Sequence, residues 1–148
     1  MCTGLSEQDI SQPKNFILRI TREKWLKRVF RIKKYYPGVP RHWEKGGIIF
    51  FARKSDAGDS IIGYGVVEEF VKKDDLSDKE RIECEIMNWR GAIIFRELYM
   101  FEPPVPIKET FLAAMKAKGK YLHGLQLTEA QTAKILEVAE KISNAKRV

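Results

Sequence analysis

The alternation of hydrophobic and polar positions divides the chain into five predicted strands and two or three predicted helices. The strands are short apolar or alternating runs over residues 16–20, 48–54, 61–70, 81–87 and 92–101. Short, hairpin-type links join most of them. This pattern favours an α+β domain built on a small, mostly antiparallel barrel or curved sheet with flanking helices.

The segment after the first predicted strand, residues 21–36, has the pattern of an amphipathic helix with a cationic outer face. Thr21 stands where an N-cap would. The side expected to face the core carries Trp25, Leu26, Val29 and Phe30, and the other side carries Lys24, Lys27, Arg28, Arg31 and Lys34. Residues 37–40, Pro-Gly-Val-Pro, should end the helix, because proline cannot continue its hydrogen-bond ladder.

Two glycines and two cysteines refine this outline. Gly63 and Gly65 flank Tyr64 in a predicted strand, which indicates a bulge or the close approach of a ligand or another backbone. Cys2 and Cys84 have no metal-type spacing. Cys84 alternates with charged residues, so we expect a small core residue of a strand.

The remaining segments are predicted from charge, proline placement and capping. Residues 72–79 are expected to form a charged loop, and residues 107–118 a helix followed by a loop at 120–127. Thr128 and Gln131 have the spacing of a capping box, which predicts the start of a last helix.

Length and composition fit one ordinary globular domain. The chain has 148 residues, of which 44% are hydrophobic and 32% charged. We expect a short N-terminal extension over residues 1–14 and a single domain over residues 15–148. The N-terminus carries acids and no hydrophobic stretch, and no apolar run approaches the roughly 20 residues that cross a bilayer. A reducing cytoplasm is the expected location.

Positive charge is concentrated in one part of the chain. Residues 14–54 contain thirteen of the 27 lysines and arginines but only two acids, Glu23 and Glu44. Basic residues interleaved with aromatic ones are typical of a surface that binds a polyanion. The alternative is that the lysines and arginines only solvate one side of a helix.

Familiar catalytic and cofactor motifs are missing from the sequence. There is no P-loop, no dinucleotide fingerprint and no GxSxG elbow, and the two histidines are 81 positions apart. No metal and no cofactor are therefore expected, and a non-enzymatic role is favoured.

Aromatic side chains provide the better candidates for a functional site. Unstacked bases are held by aromatic faces and by hydrogen bonds to their edges, while lysine and arginine neutralise the phosphates. Tyr36, Trp43, Tyr64 and Tyr99 are the candidates for stacking, and His123 for ligand contact. Trp43 lies in a polar context and should be only partly buried. Trp25 and Trp89 are assigned mainly to packing and to a turn.

The order of these pieces resembles the EVE-type branch of the PUA-like superfamily. The resemblance rests on a strand ending in Ile-Thr, a helix beginning REKW, and the segments YPGVP, GGIIFFARK, IIGYGVVEEF and GLQLTEAQTAKIL. The tryptophan-glycine-valine element of that branch is replaced by Pro37, Gly38 and Val39, after tyrosines at positions 35 and 36.

This resemblance implies a PUA-like pseudo-barrel that binds RNA or a modified base in DNA. The pocket would lie between the helix exit and the barrel mouth. Gly38 and Val39 would supply backbone contacts there, with Trp43, Tyr64 and His123 near the base. The basic helix face would follow the nucleic-acid backbone together with Arg53 and Lys54.

Two alternatives remain open. Some related ASCH domains are small amidohydrolases of modified nucleosides that use a lysine and a glutamate. Their GxKxxExR signature is missing here, and Lys54 with Glu68 or Glu97 would be the plausible pair. The second alternative is an interaction module that binds an acidic protein partner.

Overall fold

The computed structural model describes residues 13–55, 58–115 and 119–148. These residues form seven strands and three α-helices. The strands are β1 (Asn15–Arg19), β2 (Lys34–Tyr35), β3 (Ile48–Ser55), β4 (Gly58–Lys72), β5 (Gly91–Pro106), β6 (Leu125–Leu127) and β7 (Asn144–Arg147). The helices are α1 (Glu23–Ile32), α2 (Asp78–Met87) and α3 (Glu129–Ile142). None of the helices in this part of the chain is long and apolar enough to cross a bilayer.

The strands form one mixed, mostly antiparallel sheet. Its order is β2-β5-β4-β3-β1-β6, and β7 also pairs with β5. The parallel pair is β1 with β3, where Phe16 lies opposite Ile49. The predicted α+β class, with a mostly antiparallel sheet and flanking helices, is confirmed.

Side-chain alternation along the central strands produces a core on each face of the sheet. Phe16 and Leu18 of β1 point to one face, and Ile17 points to the other. Phe51 and Phe50 of β3 divide in the same way. Strands buried on both faces need hydrophobic residues at every position, which explains the continuous apolar runs in the sequence.

Helices α1 and α3 cover these two faces. Leu26, Val29 and Phe30 of α1 join the first core, and Ile135 and Ala139 of α3 join the second. The capping box of α3 is confirmed, since the Thr128 hydroxyl accepts from the Gln131 amide and the Gln131 side chain accepts from the Thr128 amide.

The start and end of α1 differ from the sequence prediction. Arg22, not Thr21, occupies the N-cap position, and its side chain makes no capping hydrogen bond. Lys33 ends the helix in the left-handed conformation, with a φ of 58°. The next two residues enter the sheet as β2 instead of continuing the helix.

The prediction of a strand at residues 81–87 is wrong, because this segment is helix α2. The Ser77 hydroxyl caps the helix by accepting from the Glu80 amide. Only Cys84 is buried, so it is a core residue on a helix rather than on a strand. Ile82 and Ile86 are exposed. The alternation of apolar and charged residues therefore came from an exposed helix face, and local capping and helix propensity decided the outcome.

Other boundaries also differ. Residues 107–115 form two 3₁₀ turns, Ile107–Glu109 and Phe111–Ala114, instead of a helix, and residues 116–118 of that prediction lie outside the described residues. The last long strand extends beyond its predicted end at residue 101, since β5 runs through the prolines at 103 and 104 to Pro106. The predicted extension over residues 1–14 lies almost entirely outside the described residues.

The predicted bulge and close approach of another backbone are confirmed at Gly63, whereas Gly65 is approached closely by side chains. The β4–β5 pairing shifts register between Ile61 and Gly63. A Cβ at Gly63 would collide with the Tyr99 carbonyl oxygen, and a Cβ at Gly65 would lie 2.5 Å from the Phe95 ring. Only glycine allows the two strands to pack this closely.

Replacing Gly63 by alanine should therefore destabilise the fold. The added methyl would meet backbone, which cannot move aside as a flexible side chain can. We expect Gly63→Ala to lower the free energy of unfolding in urea by about 1–3 kcal/mol. Gly38→Ala is the matched control, because a Cβ there would lie 3.5 Å from its nearest neighbour, the Asn88 carbonyl oxygen. Equal stability of the two variants would contradict this account.

Candidate functional site

A cleft of about 230 Å³ opens beside α1, on the face of the sheet that this helix covers. It runs from the end of β1 to the C-terminal end of α2. Its aromatic and basic side chains come from segments that are distant in sequence. It is lined by Arg19, Ile20, Thr21, Trp25, Arg28, Val29, Lys34, Tyr35, Tyr36, Met87, Trp89 and His123.

Three aromatic rings form one wall of this cleft. Tyr36 and Trp89 are stacked, with ring centroids 5.3 Å apart and planes 17° from parallel. Trp25 meets Trp89 edge to face at 5.5 Å. Trp25 and Trp89 are half-buried, so part of each ring stays accessible. We call these three residues the aromatic cluster.

Arg28 lies over the aromatic cluster and is held by a carboxylate from α2. Its Cζ atom is 4.9 Å from the Tyr36 ring centroid, 5.7 Å from that of Trp25 and 6.0 Å from that of Trp89. Its two terminal nitrogens donate to the two carboxylate oxygens of Glu83 at 2.8 and 2.7 Å. This bidentate pair lowers the pKa of Glu83 and raises that of Arg28.

A second carboxylate on α2 fixes the tyrosine of the aromatic cluster. The Tyr36 hydroxyl donates to Glu80 at 2.7 Å, and the Lys34 ammonium donates to the same oxygen at 3.2 Å. The tyrosine hydrogen bond is the main reason why the pKa of Glu80 is lowered. Burial, followed by the bond to Glu80, raises the pKa of Tyr36. The ring therefore stays neutral and in one orientation.

His123 forms the opposite end of the cleft. Its Nδ1 atom accepts a hydrogen bond from the Arg19 amide at 3.0 Å. The proton of the neutral ring therefore lies on Nε2. Burial lowers the pKa of His123. The Arg19 side chain is held by Asp59, and Arg41 donates to the Gly124 carbonyl, so both neighbours of the imidazole are anchored.

The structure brings together only some of the predicted pocket residues. Tyr36 and His123 both line the cleft. Gly38 lies in an adjoining groove beside Asn88 and Trp89. Val39 packs on the first core and faces Gly124.

Three predicted stacking residues lie elsewhere. The expectation that Trp43 is only partly buried is wrong: its side chain is 7% exposed and packs against Phe16 in the first core. Tyr64 and Tyr99 stack on each other at 4.9 Å. Tyr64 packs against the second core, on the face covered by α3 and away from the cleft.

The predicted phosphate-binding residues divide into two groups. Lys24, Lys27 and Arg31 are exposed along α1, and Lys54 is exposed at the end of β3. The other three are ion-paired: Arg28 with Glu83, Lys34 with Glu80, and Arg53 with Glu23 at 3.7 Å. Two of these acids lie on α2, distant in sequence from the basic segment.

The sequence interpretation missed two tryptophans and two glutamates of this site. Trp25 was assigned to packing and Trp89 to a turn, yet both line the cleft. The spacing of Trp25 and Arg28 by one helical turn was a usable signal, since residues three apart share a helix face. Glu83 was predicted in a strand and Glu80 just before it, so there was no reason to expect both on one helix facing α1.

The lysine–glutamate pairs considered for a hydrolase are not formed. Lys54 pairs in register with Asp59 at one end of β3. Glu97 pairs with Val66, which in turn pairs with Ile48 at the other end, roughly 20 Å along the strand. Glu68 forms an ion pair with Lys45 instead. Among the described residues, no group of three His, Cys, Asp or Glu side chains could hold a metal ion.

Comparison with known proteins identifies the fold. No protein-family profile and no curated protein match this sequence. The crystal structure of ASCH from Zymomonas mobilis matches with a TM-score of 0.60 and 15% sequence identity, over 88% of this chain and 96% of that chain. The fold is thus of the ASCH type. This likeness bears on the fold alone, and at that level the predicted PUA-like fold is confirmed. Assignment to the EVE-type branch stays a prediction.

The geometry of His123 leads to a pH prediction. Below its ordinary pKa of 6.5 the unfolded chain takes up a proton that the folded imidazole resists. The free energy of unfolding should therefore fall as the pH drops from about 6.5 through the lower pKa of the folded state. NMR should show an Nε2–H tautomer at pH 7 and a ring titration below 6.5. The His123→Gln protein should lack this part of the pH dependence. A folded-state titration at or above 6.5 would contradict the assignment.

Proposed function

We propose that this protein is a nucleic-acid-binding domain that inserts an unpaired base into the cleft beside α1. The main support for the proposal is the aromatic cluster at the rim of the cleft. It lies next to an exposed row of lysine and arginine side chains on α1. Sequence-tolerant recognition of single strands combines these two elements, aromatic faces for stacking and cations for the phosphates. RNA or DNA with a modified base is the partner, as in other PUA-like domains.

The exposed face of α1 would contact the backbone. Lys24, Lys27 and Arg31 project from this helix, and Trp25 lies between them at the cleft rim. A base stacked on Trp25 would place its phosphates beside these cations. Before a ligand binds, the ion pairs of Arg28 and Lys34 with α2 hold the aromatic cluster in place.

Charge reversal on α1 tests the backbone contacts. Lys27→Glu with Arg31→Glu should weaken binding of all single-stranded oligonucleotides alike. Each lost phosphate contact should also reduce the slope of log K against log salt by about 0.7 for a single strand. The measurement is fluorescence anisotropy of labelled RNA and DNA at several salt concentrations. Lys108→Glu with Lys134→Glu is the matched control, with the same charge change at exposed positions away from the cleft. Equal losses in both double variants would overturn the assignment.

Truncating Trp25 tests the stacking contact. Trp25→Ala should weaken binding by about 1–3 kcal/mol, the usual value of one base–aromatic stack, and leave the salt slope unchanged. Trp43→Ala serves as the contrast, because Trp43 lies in the core and its loss should lower the melting temperature. A folded Trp25→Ala protein with full affinity would exclude the aromatic cluster as the base site.

A further inference from the structure

Arg28 reveals which chemical group fits over the aromatic cluster. Its guanidinium is a flat cation that offers two parallel N–H donors, and both are received by Glu83 at 2.7 and 2.8 Å. The same guanidinium lies within 4.9 to 6.0 Å of all three ring centroids of the aromatic cluster. Among the described residues, this is the one place where a bidentate carboxylate and three aromatic rings converge on one group.

A guanine base carries the same donor pattern. The N1–H and the 2-amino group of guanine point in parallel from one edge of a flat ring. Adenine and cytosine place an acceptor beside their amino group on that edge, and uracil places its single N–H between two acceptors. An ionised carboxylate can only accept hydrogen bonds. Glu83 therefore matches guanine in both bonds and matches each of the other bases in at most one.

We propose that the cleft selects guanine, whose Watson–Crick edge replaces the Arg28 guanidinium on Glu83 while its ring stacks on the aromatic cluster. This inference rests on the proposed function, because it assigns the base that the single strand inserts. A glutamate is ionised at neutral pH even without a cationic partner, so Glu83 remains an acceptor after Arg28 leaves. Glu80 accepts from Lys34, Tyr36 and Ser77. Within the described part of the chain, Glu83 accepts from Arg28 alone, through a bidentate pair that the edge of guanine can replace.

Once displaced from Glu83, Arg28 would be able to pair with a phosphate of the bound strand. Its side chain is 22% exposed at the cleft rim. It lies on the same helix as Lys24, Lys27 and Arg31, the residues placed near the phosphates. On release, the guanidinium would exchange one anion for another, a phosphate in place of Glu83. The ligand is therefore a guanosine within a phosphate chain and not the free base, because the phosphate compensates the lost ion pair.

The test uses single-stranded RNA heptamers that differ only in the central base, which is guanine, adenine or hypoxanthine. Hypoxanthine lacks the 2-amino group and so forms one of the two bonds. We expect the guanine heptamer to bind about five- to 150-fold more tightly than the adenine heptamer, the range for one bidentate base contact. The hypoxanthine heptamer should fall between them.

Glu83→Gln distinguishes base readout from a simple block by Arg28. An amide offers one acceptor and one donor, so the substitution should abolish the preference for guanine. If Arg28 only obstructs the cleft, freeing it from Glu83 should instead increase affinity for all three heptamers. Glu85→Gln is the matched control, since it makes the same charge change on the exposed side of α2 and should keep the preference. Arg28→Ala removes the competing guanidinium and should improve binding of guanosine without phosphates.

The outcomes separate the two proposals. If the heptamers bind equally well and the Trp25→Ala protein is impaired, the guanine assignment is wrong and the proposed function stands. Unchanged guanine preference in a folded Glu83→Gln protein also overturns the assignment. If no heptamer binds at any salt concentration, both proposals fail.

Discussion

The bidentate ion pair between Arg28 and Glu83 is the contact on which the candidate site depends. It joins α1 to α2, two helices that the chain supplies from either side of the long β3–β4 hairpin. The pair also sets the position of the guanidinium over the aromatic cluster. Partly exposed ion pairs usually contribute little to stability, so the importance of this one lies in geometry. Until a ligand displaces Arg28, the pair keeps the rim of the cleft in a single arrangement.

The fold reduces the number of basic residues in the positively charged segment that are available to a ligand. Along the sequence, residues 14–54 form a strongly basic block. In the structure five of its thirteen lysines and arginines form ion pairs with acidic side chains. Four of those acidic side chains come from outside residues 14–54. The cations left without an ion pair among the described residues are fewer and more localised, mainly along α1. A polyanion would therefore meet a narrow row of charges beside a cleft.

Much of the fold could be predicted from the sequence, because strands buried on both faces leave unmistakable apolar runs. Four strands are predicted correctly, at residues 16–20, 48–54, 61–70 and 92–101. The capping box at Thr128 correctly predicts the start of the last helix. The error at residues 81–87 had a local cause, since an exposed helix with one buried residue carries almost no helical periodicity. The short strands β2 and β6 depend on pairing with distant residues, which no local pattern reveals.

The site was predicted less completely, because it depends on contacts across the fold. Tyr36 and His123 were identified by residue type alone. The burial of Trp43 was underestimated because its polar neighbours in sequence do not surround it in the structure. It packs against Phe16 instead. Trp25 and Trp89 were recognised as aromatic but assigned to packing, and only the position of α2 shows that they share a cleft.

The placement of β1 between β3 and β6 has a consequence for how the chain folds during synthesis. Asn15 of β1 pairs with Leu127 of β6, about 110 residues later in the chain. During synthesis, the β1 edge that pairs with β6 therefore remains unpaired until residues 125–127 have left the ribosome. A native topology with such distant pairings is expected to form slowly, in milliseconds to seconds. During that interval the apolar run at residues 16–20 has an unpaired edge that can pair with another chain.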